Sequence, residues 1–238
     1  MFFSQYNGFF MNIIKRMCQA CFMASALFVS VIISPPAFAD HWVPWAFSWD
    51  RNGATQHHIS PQQGLSRIKT TSLWSPDGEL LVVQLVSSKS FKKTVELLDK
   101  DISSKSNPEL IARYGTLLTY GAYMSEDEGE MAELATRADA YFDQALSKDK
   151  ASWGAWLGKA TLYGFSHERD QEASSIKILK SMIEAQQKTK SNWHHVYPYL
   201  VLGAIYEQKR DFLTAKEIWT EGLQHFPNNE ALHTKMID

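Results

Sequence analysis

Residues 196–227 read VYPYLVLGAIYEQKRDFLTAKEIWTEGLQHFP, and this stretch decides the fold class. Tyr199, Leu202, Gly203 and Tyr206 recur at helical spacing on one face. After a polar break from Glu207 to Asp211, Phe212, Ala215, Trp219, Gly222 and Leu223 do the same on a second. The stretch predicts two helices joined by a tight turn. Gly203 and Ala215 bring almost no side chain to the point where the axes approach, which leaves room beside them for Tyr206 and Trp219. Pro227 cannot continue a helix and stops the second one.

Tyr199, Leu202-Gly203, Tyr206, Ala215, Trp219 and Pro227 fall on the spacing W-x2-L-G-x2-Y, then A-x3-F, then P. In these residues the segment resembles the tetratricopeptide repeat family, with aromatics exchanged only for aromatics. The resemblance implies an all-α fold, a right-handed α-solenoid of about three helix pairs. Its concave groove would receive a protein or peptide partner, or another copy of the chain. Counted from the doublets Leu157-Gly158 and Leu202-Gly203, the groove positions it implies are Ser152, Ala155, Lys159 and Leu162, then Tyr197, Leu200, Ala204 and Glu207. Most are small or apolar, which favours an apolar segment, helices included, over an acidic tail. Lys159, Leu162, Tyr197, Leu200 and Glu207 are the candidate partner contacts.

Two weaker pairs precede the strong one. Asn107-Pro108-Glu109 has the form of a helix start, with Asn107 as cap and Pro108 in the first turn, for a helix running to about Tyr123. Beyond the acidic break from Ser125 to Glu130, Leu134, Ala138, Phe142, Ala145 and Leu146 share a helical face. The next pair begins at Trp153 with Trp156, Leu157, Gly158 and Tyr163. It breaks at FSHERD and resumes through Ser174, Ile178 and Met182 to about Lys188. Gly115, Gly158 and Gly203 are 43 and 45 residues apart, against a family period of about 34, so long hairpins and overlong helices are expected. Asn228-Asn229 predicts a cap for a short last helix from Glu230 to Met236.

Toward the N-terminus the pattern changes. Phe91, Val95, Leu98 and Ile102 form one face of an amphipathic helix. Residues 72–86, SLWSPDGELLVVQLV, suit either a β-hairpin about Pro76-Asp77-Gly78 or a helix capped by Ser75; a lone hairpin is marginal in water, and we read a helix. Residues 40–74 set Trp42, Trp45, Phe47, Trp49 and Trp74 among turn residues, an irregular arm whose rings would pack on the helices; the alternative is a stacking platform for a ligand. The helical domain is taken as residues 75–238.

Lys15 and Arg16, an apolar run from Ala20 to Ile33 and the site Ala37-Phe38-Ala39 have the order of a secretory signal peptide over residues 1–39. Met11 is an alternative start. Periplasmic or secreted location follows as the expectation, with membrane contact only through export. Cleavage would remove Cys18 and Cys21, leaving no disulfide and no thiolate chemistry. The whole chain has a formal net charge of −2, with 45% apolar and 21% charged residues. That balance excludes generic binding to nucleic-acid phosphates.

Catalytic patterns are missing where they would be looked for. His167-Glu168-Arg169-Asp170-Gln171 has Gln171 where a zinc-protease motif needs its second histidine. The pairs His57-His58 and His194-His195 are neighbours that a regular element points apart. Asp40-His41, which a cleaved chain would begin with, suits only adventitious copper. Ser66, Ser90 and Ser174 each precede a lysine by three residues, without the partner motifs of penicillin-recognising enzymes. We expect no enzyme activity, cofactor or metal. The alternative function is small-ligand binding in a pocket where Trp42 or Trp45 meets His57, His58 or Arg113.

Overall fold

The computed structural model describes residues 59–237 except 87, 89, 104 and 167. The expected signal peptide, the start at Met1 or Met11, Asp40-His41, the rings at 42, 45, 47 and 49, His57 and His58 lie outside the described residues, as does His167. Ten α-helices and a single 3-10 turn are present, with no strand among the described residues. The protein is all-α there.

The first helix corrects the expectation of an irregular arm running to Trp74. α1 (Pro61–Thr70) begins with a reciprocal capping box: the Gln63 amide donates to Ser60 Oγ at 3.3 Å, and the Ser60 amide donates to Gln63 Oε1 at 3.0 Å. Pro61 occupies the first turn, where its missing N–H costs nothing. Two local signals thus outweighed the turn-like composition around them.

α2 (Pro76–Val86) decides between hairpin and helix in residues 72–86 in favour of helix, which starts after Ser75. Ser75 caps it, accepting the Gly78 amide at 3.1 Å. The apolar run behind the cap buries Leu81, Val82 and Leu85. Trp74 is buried and meets Trp153 and Tyr197 edge-on, at ring separations of 6.4 and 5.5 Å, so this tryptophan packs as expected. α3 (Phe91–Asp101) buries Phe91, Val95 and Leu98, the predicted face.

α4 (Pro108–Met124) starts at the predicted cap, with Asn107 Oδ1 accepting the Glu109 amide at 2.8 Å. α5 (Glu128–Lys148) buries Leu134, Ala138, Phe142 and Ala145. Phe142 is wedged between two glycines: a Cβ on Gly115 would lie 2.7 Å from its ring, and one on Gly158 would lie 2.3 Å from it. One aromatic therefore fixes the approach of three helices, α4, α5 and α6 (Trp153–Gly164).

α7 (Arg169–Gln186) departs from the expected register. Its buried residues are Ser175, Leu179 and Ile183, one position beyond the predicted Ser174, Ile178 and Met182. Ser175 Oγ donates to the Ala160 carbonyl at 2.6 Å, so a small polar residue fits the close contact with α6 by satisfying its own hydroxyl. The long spacing between repeats is absorbed here by the 18 residues of α7, by the connection after it and by the 3-10 turn (Trp193–Val196). In the pair before, it is absorbed by helix length, 17 residues in α4 and 21 in α5.

α8 (Tyr197–Gln208) and α9 (Phe212–His225) are the helices read from the opening stretch. Arg210 turns the chain with φ at 61°, the Arg210 amide donating to the Glu207 carbonyl and the Asp211 amide to that of Tyr206, each at 2.9 Å. This is a Schellman ending with arginine at the position that favours glycine. Trp219 covers Gly203, where a Cβ would fall 2.0 Å from the indole nitrogen. Phe212, placed on the inner face by periodicity, is 57% exposed. Asn229 caps α10 (Glu230–Ile237), whose Leu232 is fully buried.

Helices adjacent in sequence are adjacent in space. α4, α6 and α8 pack successively, α5 touches α4 and α6, α7 touches α6 and α8, and α9 touches α8 and α10. α1 and α2 lie on α4, with α3 against α1.

Candidate functional site

The expected groove positions are mostly occupied. Tyr197 and Leu200 are 4% and 2% exposed, and Ser152, Ala155, Leu162 and Ala204 are also buried. The reading of Tyr197 and Leu200 as open groove contacts is corrected by this burial. Its physical reason is visible in the sequence of α8, where Tyr197 to Ile205 contains no charged or amide side chain, and a helix without a polar face is buried all round. Lys159 points to α5, pairing with Asp139 at 3.0 Å and with Asp143, its ammonium 5.2 Å from the centre of the Tyr163 ring. Glu207 pairs with Lys235 of α10 at 2.8 Å. These two charged candidates hold helices together.

What covers the start of α8 is the chain's own N-terminal part. Tyr197 donates its hydroxyl to Glu79 Oε1 at 2.5 Å, a contact between α8 and α2 across 118 positions. Burial raises the Glu79 carboxyl to about 7, against an opposing pull from the Tyr197 hydrogen bond. The Tyr197 hydroxyl is itself driven above its ordinary range by burial and by Glu79, so it stays a donor. Arg113 is committed nearby, donating to the Ile68 and Lys69 carbonyls of α1 at 3.2 and 3.0 Å. A guanidinium at a helix C-terminus meets the unsatisfied carbonyls there. Arg113 thus belongs to the packing of α1 on α4.

An aromatic cluster extends from this contact. Trp153 meets His194 at 4.5 Å and His195 at 6.4 Å, the two histidine rings stand 4.8 Å apart, and Trp193, 53% exposed, meets His194 at 5.5 Å. The 3-10 turn brings together the adjacent histidines that a regular helix would separate. Burial lowers both imidazoles below their ordinary value, His194 also through the charge of His195, so neither is cationic at neutral pH. Gln186 Nε2 donates to the His195 carbonyl at 2.7 Å and ties the turn to the end of α7.

Beside this cluster lies a cavity of about 670 Å³ between α6, α7 and the turn. Trp153, Trp156, Ile178 and Met182 form its apolar wall, with Lys177, Gln186 and His195 among its polar groups. Trp156 donates its indole N–H to the Lys150 carbonyl at 2.9 Å, which fixes that ring. Ile178 and Met182, expected in the core, are partly buried against it and also line this cavity. α7 carries two apolar rows, and their common i, i+4 spacing left the choice of buried row open in the sequence. Among the described residues no three His, Cys, Asp or Glu side chains gather about a point that could hold a metal ion, and no described helix is long and apolar enough to cross a membrane. No protein-family model, curated protein or solved structure matches this chain.

Proposed function

We propose that the chain is an exported interaction scaffold of the tetratricopeptide kind, with α4–α5, α6–α7 and α8–α9 as its stacked pairs, and that it receives an apolar helical segment of a protein partner. The observation that carries this reading is the placement of α2. A largely apolar helix, with its two carboxyl groups Asp77 and Glu79 both in the first turn, lies on α4 and reaches the start of α8 through Glu79. A surface that holds such a helix within the chain has the chemistry to hold a similar one from a partner. The glycine contacts at Phe142 and Trp219 and the successive packing of α4, α6 and α8 support the solenoid reading.

On this reading α2 competes with the partner. Glu79→Lys places an ammonium beside Tyr197 and should loosen α2. A fluorescein-labelled peptide of residues 74–88 is then expected to bind the variant saturably, up to about tenfold tighter than it binds the unaltered protein, the factor that one lost hydrogen bond can supply. Equal binding, or none to a variant that remains folded, removes this face from the proposal. Export is checked by intact mass in the native host, with Asp40 the expected first residue. A membrane-bound form retaining Phe38-Ala39 would identify an anchor.

A further inference from the structure

We propose that the cavity between α6, α7 and the turn at residues 193–196 binds a small anionic amphiphile, an apolar chain or ring system ending in one carboxylate or sulfonate group. The site is separate from the α2 contact and does not depend on the scaffold reading. Its volume of about 670 Å³ lies within the range of about 300–1,000 Å³ that encloses small organic ligands. Trp153 and Trp156 give two large apolar faces whose positions are already fixed. Trp153 is held among Trp74, His194 and His195, and Trp156 by its hydrogen bond to Lys150. Ile178 and Met182 complete an apolar wall on α7. A ligand entering such a site needs little rearrangement of the protein.

Charge selects the class. Among the described lining residues Lys177 is the one side chain of fixed charge, no aspartate or glutamate is present, and His195 is neutral at pH 7. An anion is therefore attracted, while a cation meets Lys177 with nothing to offset it. A second observation points to a polar ligand group. The Trp153 indole N–H is buried without a hydrogen-bond partner, although this residue lines the cavity. A donor left idle beside an apolar cavity is a group that an anionic oxygen of a bound molecule can satisfy.

The test is calorimetric titration of the folded chain with laurate below its micelle concentration, with dodecyltrimethylammonium as the cation of equal chain length. Laurate should bind one to one, and the cation more weakly by up to about fivefold, the upper factor expected of one exposed charge. Lys177→Glu, an exposed change, should reverse that preference. Ala185→Trp, which fills the cavity from its exposed rim, should abolish laurate binding while the thermal midpoint stays within about 2 °C, as expected of a surface change. Equal binding of both amphiphiles, several laurates per chain, or full binding to Ala185→Trp would overturn the proposal. So would displacement of laurate by the peptide of residues 74–88, which would make the cavity part of a protein-binding surface.

Discussion

Phe142→Ala is expected to lower unfolding stability by about 3–5 kcal/mol, measured by urea denaturation. The ring is fully buried, and its two neighbours across the helix contacts are the bare backbones of Gly115 and Gly158. Neither glycine has a side chain that could swing into the space, so the cavity would stay open, which places the cost toward the upper end of that range. Three helices meet at this ring, so loosening it should affect α4, α5 and α6 together. The control is Phe212→Ala, at a residue 57% exposed, which should fall within about 0.5 kcal/mol of the unaltered protein. A cost below about 1 kcal/mol for Phe142→Ala would show that the glycine contacts do not hold the helices at this spacing.

The second large effect is a dependence of stability on pH that runs against the usual behaviour of carboxylates. Glu79 is raised from its ordinary 4.5 to about 7 by burial, so between these values the folded chain holds a proton that the unfolded chain has released. Stability from this group is fully present below pH 4.5, falls as pH rises through the window and is lost above about 7. The two values are separated by about 3 kcal/mol at full ionisation. No cation is among the groups acting on Glu79; its hydrogen-bond partner is Tyr197, itself influenced by Tyr120. Carboxylates such as Asp101, where burial is outweighed by hydrogen bonds from Lys69 and Tyr114, and Glu130, held down by hydrogen bonds from Ser125 and Lys92, lie below their ordinary range, work in the opposite direction and lose stability as pH falls. The comparison that isolates Glu79 is therefore Glu79→Gln, which keeps an acceptor for the Tyr197 hydroxyl and cannot ionise. Glu79→Gln should match the unaltered protein near pH 4.5 and exceed it by up to about 3 kcal/mol at pH 8. A constant difference across that range would mean that Glu79 is ionised in the fold.

The sequence by itself determined what rests on neighbours within a few turns of chain. Asn107 as a cap, the Phe91–Val95–Leu98 face, the Ala138-x3-Phe142 spacing and the two helices about the turn at Arg210 are local, because a cap or a helical face is set by residues three or four positions apart. The capping box of α1 was equally local, though masked by the turn residues and tryptophans around it. Only the tertiary structure decided which face of each helix is covered, and by what. Ile178 and Met182 form one apolar row of α7, and Leu179 and Ile183 another; the packing of α6 and α8 selects the second and leaves the first to the cavity. The all-apolar face of α8 showed that Tyr197 would be covered, but what covers it, Trp74 and Glu79, comes from elements more than a hundred residues earlier in the chain. Glu79, two residues after Asp77 at the head of an apolar run, is set apart only when Tyr197 reaches it. Burial is a property of the surface that arrives, and periodicity within one helix carries no information about the element that will cover it.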